Sequence, residues 1–109
     1  MSIHNAEQTV NLALRSTLLA LPSNSELIVL LNACTDKTRA VIEAIKDKRL
    51  IMLSSDIALS PGDRLNRMLK LAEGQFVARM DADDVCLPWR FAYELAHLRQ
   101  NKSDFVFTN

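Results

Sequence analysis

Apolar residues along this chain change period repeatedly, from the three-to-four spacing of a helix to short unbroken runs that suit buried strands. Val10, Ala13, Leu14, Thr17, Leu18 and Leu21 fall on one helical stripe, and Pro22 stands just past its end. Asn5 followed by Gln8 resembles a capping pair for that helix, Asn5 accepting from early backbone amides. Leu27-Ile28-Val29-Leu30-Leu31 is a continuous apolar run, as expected of a strand covered on both faces. Thr35 or Asp36 then reads as the cap of a second helix with the stripe Val41, Ala44 and Ile45. Leu50-Ile51-Met52-Leu53 follows as a second buried strand.

Ser60, with Pro61 just inside and Asp63 in the first turn, is a strong helix start. The helix it opens carries Leu65, Met68, Leu69 and Ala72, and Gly74 is placed to end it. Residues 75–80 read as a third strand, Pro88 opens a helix bearing Phe91, Leu95 and Leu98, and Phe105-Val106-Phe107 reads as a last strand. Strands separated by single helices predict parallel pairing through right-handed crossovers, hence a parallel-sheet α/β sandwich. Ligands of such sheets bind outside the carboxyl ends of the strands. The loops after Leu31, Leu53 and Met80 are therefore where chemistry is expected.

Composition narrows the picture. With 109 residues, 49% of them apolar, the chain is expected to be one domain, residues 1–109, with a real core. A formal net charge of +0 lacks the basic face of a nucleic-acid binder, so no nucleic acid is expected as a partner. No apolar run approaches the roughly twenty residues of a membrane helix, and Met1 to Asn5 has neither the basic start nor the apolar segment of a leader. Cys34 and Cys86 form no CxxC pair, and two free thiols in a reducing cytoplasm is the simpler reading than a disulfide.

Asp81, Asp83 and Asp84 follow directly on Phe76-Val77-Ala78-Arg79-Met80. If strand geometry continues briefly, Asp81 and Asp83 point to one side, because side chains alternate with period two. Two converging carboxylates repel unless a cation lies between them. Oxygen donors of this kind suit Mg²⁺ or Mn²⁺, which keep waters and take further ligands from substrate phosphates. A calcium loop of the EF-hand type is excluded, since its fifth and sixth positions need an oxygen ligand and a glycine where this chain has Val85 and Cys86. Acidic residues also crowd any exposed loop, but three in four positions at the mouth of a predicted parallel strand point to a site. Arg79 either adds a nearby positive charge or points away, and Trp89 either covers a bound ligand or caps the core.

The stretch Ala78-Arg79-Met80-Asp81-Ala82-Asp83-Asp84, with Pro88 and Arg90 following, resembles the metal-binding segment of bacterial family-two glycosyltransferases, the GT-A-fold enzymes that build surface polysaccharides. Three more stretches agree in order and spacing. His4-Asn5-Ala6-Glu7 resembles the loop after the family's first strand, and Asn32-Ala33-Cys34-Thr35-Asp36-Lys37-Thr38 its base-binding loop. Leu65-Asn66 and Ala72-Glu73-Gly74-Gln75-Phe76-Val77 resemble the helix and strand that lead into the carboxylates.

This resemblance implies the Rossmann-like nucleotide-binding half of the GT-A fold and a transfer of sugar from a nucleotide-diphosphate donor, a UDP-sugar first, to a glycan or lipid-linked acceptor. It implies Asp83 as the main ligand of Mn²⁺ or Mg²⁺, with Asp81 helping through the metal or the donor ribose. Asn32 occupies the place of an acidic residue that reads the base, Asn5 and Glu7 line the donor pocket, and Arg64 approaches the diphosphate. Asn5 reads equally as a helix cap, Thr35 and Asp36 as caps, and Arg64 as a solvated helix residue. The implied location is the cytoplasm, at the inner membrane face where the acceptor is lipid-linked.

The chain departs from that pattern in three places. Only Met1-Ser2-Ile3 precedes the first loop, so the first strand is expected to be largely missing, and exposed sheet edges suggest a homodimer. The second half of the family fold, with the acceptor site and the catalytic base, has no counterpart among these acids, so a domain truncated at both ends is expected. Leu31 and Lys37 stand where the base-binding loop is commonly acidic and glycine. A non-catalytic nucleotide- or metal-binding remnant of the same fold is the alternative reading. A nucleotidyltransferase needs a glycine- and lysine-rich first loop that His4-Asn5-Ala6-Glu7 does not offer.

Overall fold

The computed structural model describes residues 1–107. Its centre is a three-stranded parallel sheet in the order β1-β2-β3, formed by β1 (Ser2–Ile3), β2 (Leu27–Asn32) and β3 (Leu50–Ser55). Ser2 pairs with Leu30 and Ile3 with Leu31, while β2 and β3 run in register from Leu27↔Leu50 to Asn32↔Ser55. Among the described residues the helices are α1 (Val10–Ala20), α2 (Thr38–Glu43), α3 (Pro61–Leu69) and α4 (Arg90–Asn101). The α/β class and the parallel pairing read from the apolar pattern are thus both present.

Leu27, Val29 and Leu31 send alternate side chains of β2 to one face, where they meet Ile3, Val10, Leu14 and Leu18 from β1 and α1, Ile42 from α2 and Ile45 just beyond it. Val10, Leu14 and Val29 are fully buried. Each large side chain removed from water in this way stabilises the fold by roughly 1.5–3 kcal/mol. The α1 stripe lies where its spacing puts it, whereas α2 buries Thr38 and Ile42; of its predicted stripe Ile45, just past the helix, is buried, Val41 is half-buried and Ala44 faces solvent. Arg49 fastens the far end of α1: its Nη1 donates to the Leu21 carbonyl (3.0 Å), and its Nη2 meets Asp47 Oδ2 at 2.8 Å.

On the opposite face α3 is held lightly. Ser60 caps it as predicted, its Oγ accepting from the Asp63 amide at 3.2 Å. None of its residues is buried, and Leu65 and Leu69 remain 47% and 41% exposed. The apolar spacing was therefore legible, but it does not mark a covered face here.

Several predicted features are absent. Residues 75–80 follow the sheet without joining it, and Phe105-Val106-Phe107 pairs with no strand among the described residues. A strand needs a neighbour, and β1 is only two residues long. Gly74 does not end α3, whose C-terminal cap is Lys70. Instead the Gly74 amide donates to Glu26 Oε1 at 3.2 Å. Cys34 and Cys86 are both free thiols, as the sequence suggested. No helix among the described residues is long and apolar enough to cross a membrane.

Candidate functional site

At the carboxyl end of the sheet the loops after β1 and β2 are sewn together by their side chains. Asn5 adopts a left-handed backbone (φ 43°), a conformation that Asn tolerates better than most residues. Its Oδ1 accepts from the Thr35 amide at 2.8 Å and the Asp36 amide at 3.4 Å, and its Nδ2 donates to Thr35 Oγ1 at 3.2 Å. In return, Asp36 Oδ2 accepts from the Glu7 amide (3.1 Å), and Glu7 Oε2 accepts from the Lys37 amide (2.9 Å). Thr38 Oγ1 accepts from the Ala6 amide at 2.8 Å, and His4 Nδ1 donates to the Asn32 carbonyl at 2.8 Å.

These bonds answer what the sequence left open. Asn5 is not the cap of α1, which begins at Val10 with no side-chain cap at Thr9. It clamps the neighbouring loop instead. Asp36 does serve the start of α2, its Oδ1 accepting from the Thr38 amide at 3.0 Å. Hydrogen bonds from Thr38 hold the Asp36 carboxyl below its ordinary range, against a smaller opposing effect of desolvation. A shallow depression of about 260 Å³ opens here, lined by Asn5, Ala6, Glu7, Gln8, Thr9 and Asp36. That is below the range of roughly 300–1,000 Å³ typical of pockets that enclose a ligand, so it does not enclose one by itself.

Asn32 ends β2 and is only 6% exposed. Its Oδ1 accepts from the Leu59 amide at 2.9 Å, so this oxygen fixes the loop between β3 and α3. Arg64 turns back toward β1, where its Nη1 donates to Ser2 Oγ (3.2 Å) while its Nε is buried without a hydrogen-bond partner. Neither side chain lines the depression at Asn5 and Asp36.

The carboxylate segment keeps an alternating pattern without being a strand. Met80 and Ala82 are buried, whereas Asp81, Asp83 and Asp84 are exposed. Met80 packs with Cys86 and Phe91, and Ala82 joins the cluster around α1 and the sheet. The Asp84 amide donates to the Asp81 carbonyl at 3.4 Å, which closes a turn around Ala82 and Asp83. Asp81 and Asp83 thus both lie on the solvent side through the burial of their neighbours, rather than through continued strand geometry. Arg79 does face Asp81: its Nη2 lies 3.4 Å from Asp81 Oδ1, a pair exposed enough to contribute little. The Met1 amino group donates to the Ile28 carbonyl at 2.7 Å, and burial lowers its pKa to about 6 despite the opposing field of Asp81. Trp89 is 64% exposed and does not cap the core.

Among the described residues no three His, Cys, Asp or Glu side chains gather closely enough to hold a metal by themselves. The donor set on offer is the two exposed carboxylates of one turn. It fits Mg²⁺ or Mn²⁺ completing its shell with water and phosphate oxygens, and it does not fit a closed protein-only metal site.

Thr38 and Ser16 were not singled out from the sequence, although both are nearly or fully buried hydroxyls that hold these loops. Ser16 Oγ accepts from the Cys86 amide at 3.0 Å and fixes the far side of the carboxylate turn. Ser16 lies beside Thr17 on the α1 stripe, and a hydroxyl there was the available signal.

Comparison with known proteins agrees with the fold. The family model described as glycosyl transferase family 2 matches residues 1–109. The chain is 28% identical over 109 residues to the Escherichia coli UDP-Glc:alpha-D-GlcNAc-diphosphoundecaprenol beta-1,3-glucosyltransferase WfgD, covering 100% of this chain and 43% of that protein. It is 30% identical over 105 residues to the putative glycosyltransferase EpsE of Bacillus subtilis, covering 94% of this chain and 38% of that protein. Among solved structures, Staphylococcus aureus TarS 1-349 superposes with a TM-score of 0.84 at 27% identity, over 94% of this chain and 32% of that one. The chain therefore spans well under half the length of these relatives.

Proposed function

The chain belongs to glycosyl transferase family 2, and from that membership we propose that it carries the donor-binding part of an enzyme that moves a sugar from a nucleotide diphosphate to a glycan or lipid-linked acceptor. Support comes chiefly from one arrangement: Asp81 and Asp83 lie exposed on a turn footed on buried Met80 and Ala82, and Ala82 packs in the same core cluster as Ile3 of β1 and Leu31 of β2, the strands whose carboxyl ends carry the Asn5 and Asp36 loops.

In this reading Asp81 and Asp83 provide oxygen donors for Mn²⁺ or Mg²⁺, with Asp83 the main ligand. When bound, such an ion neutralises the charge that builds on a departing diphosphate. The welded loops of Asn5, Glu7 and Asp36 form the wall against which the nucleoside lies. Asn32 acts on the base through the loop it holds, and Arg64 supports β1 beneath the diphosphate. Exposed Trp89 stands next to the carboxylate turn as a ring for the sugar to lie against. A UDP-sugar is the donor we favour, because the WfgD relative is described as using UDP-Glc. That relative's diphosphoundecaprenol-linked acceptor supports a lipid-linked acceptor met at the cytoplasmic membrane face. The base that deprotonates the acceptor hydroxyl is assigned to no residue of this chain.

Calorimetric titration of UDP into the purified chain, with and without Mn²⁺, tests the reading. Mn²⁺ is expected to tighten UDP binding by about tenfold or more, ~1.4 kcal/mol, and Asp83→Ala to abolish the gain. Binding that ignores the metal would favour a non-catalytic nucleotide module. No binding by a folded chain would refute the donor-site assignment.

A further inference from the structure

The turn that bears Asp81 and Asp83 has no strand ladder to fix it, yet a ligand site needs its donors held within a fraction of an ångström. What holds the turn is a guanidinium. Arg90, the first residue of α4, donates from Nη2 to the Arg79 carbonyl at 3.1 Å and from Nη1 to Met80 Sδ at 3.1 Å. Its Nε donates to Glu94 Oε1 at 2.8 Å, one helical turn further along α4. The same guanidinium carbon lies 5.3 Å from the centroid of the Phe91 ring.

Because a guanidinium is planar, fixing its Nε against Glu94 also fixes the directions of Nη1 and Nη2. Glu94 is only 9% exposed, so this is a sheltered pair rather than a solvated surface contact. The turn is strung between two anchors, Arg90 at residues 79–80 and the Ser16 hydroxyl at the Cys86 amide. Between these anchors the turn is held besides by the burial of Met80 and Ala82 and by the Asp84 amide on the Asp81 carbonyl.

We propose that Arg90, oriented by Glu94, is the positioning residue that sets the backbone of the Asp81-Ala82-Asp83 turn and thereby its affinity for a metal-bound diphosphate. The part that concerns affinity rests on the donor-site reading above; the part that concerns the backbone does not.

The test uses Arg90→Lys, which keeps the charge but loses the fork that reaches Glu94, Arg79 and Met80 together. Hydrogen exchange at residues 79–86 is expected to quicken about tenfold or more, with the amides of α1 and β2 unchanged. UDP affinity in Mn²⁺ should fall about tenfold, and in an Asp83→Ala background the same substitution should change it by less than about twofold, because both act through one turn. Glu94→Gln, which keeps an acceptor oxygen, should loosen the same amides to a smaller degree and serves if Arg90→Lys does not fold. Unchanged exchange at 79–86 in the folded variants would overturn the proposal. So would an equal loss of affinity in the Asp83→Ala background, since Arg90 would then be acting elsewhere. If the unsubstituted chain shows no Mn²⁺-dependent UDP binding, the donor-site reading falls, and the exchange result alone decides whether Arg90 sets the turn.

Discussion

Asn5 Oδ1 sits 2.8 Å from the backbone nitrogen of Thr35, thirty residues further along the chain, and this bond joins the first two loops at the carboxyl end of the sheet. Its neighbours reinforce it in both directions, since Asp36 and Glu7 each accept a backbone amide from the opposite loop. Asn5→Ala removes the acceptor and also places a less tolerant residue at a left-handed φ. The expected loss is about 1–3 kcal/mol of unfolding free energy, with faster hydrogen exchange at Thr35 and Asp36. Asn5→Gly separates the two effects, because it relieves the backbone but not the missing acceptor. Chemical denaturation of the three proteins checks this.

Ala33 also lies in the left-handed region, at φ 49°, with its amide donating to the Ser55 carbonyl at 2.7 Å. An L-residue there costs about 1–2 kcal/mol, partly balanced by the extra chain entropy that glycine carries in the unfolded state. Ala33→Gly is therefore expected to stabilise the chain by about 0.5–1 kcal/mol. A thermal melt reads this as a rise of several degrees for a domain of this size. A lower midpoint would contradict the account of Ala33 as strained.

Acid should loosen the molecule in two named places. Hydrogen bonds from Arg49 lower the Asp47 carboxyl from 3.8 to about 2, and Asp36 is lowered by its bonds from Thr38. A carboxyl with a depressed folded pKa binds fewer protons folded than unfolded across that interval. Its contribution is thus fully present above the ordinary value of 3.8 and disappears as pH falls toward about 2. Carbon NMR titration of the two carboxyls, with melts between those limits, should show both signals moving late. Asp47→Asn should flatten the acid limb of the stability curve.

Much of this was written in the local sequence, and the misses have a common cause. The unbroken runs at Leu27 and Leu50 became β2 and β3 because each is long enough to pair with a neighbour, but only β2 is buried as expected: β3 lies at the edge of the sheet, Leu50 and Met52 are partly covered and Ile51 is exposed. The Ser60-Pro61 start of α3 is likewise a local matter of capping. Residues 75–80 have an equally strand-like composition, but pairing depends on a partner that no local pattern reports, and β1 comprises only Ser2–Ile3. Asn5 read as a helix cap because a cap and a loop clamp use the same side-chain oxygen, and only tertiary placement tells them apart. At the carboxylates the alternation was right and its reason was not. Buried Met80 and Ala82, fixed by Arg90 and Ser16, turn Asp81 and Asp83 outward.

The most direct measurement is paramagnetic broadening by Mn²⁺ in the amide spectrum of the labelled chain, recorded with UDP present. Ligation at the carboxylate turn predicts that Asp81, Ala82, Asp83 and Asp84 broaden first, that UDP shifts the amides of Asn5, Thr35 and Asp36, and that Asp83→Ala removes the broadening. Broadening centred on the acidic pair Glu7 and Asp36 instead, or spread evenly over the surface carboxylates, would contradict the placement of the metal and donor diphosphate at Asp81 and Asp83.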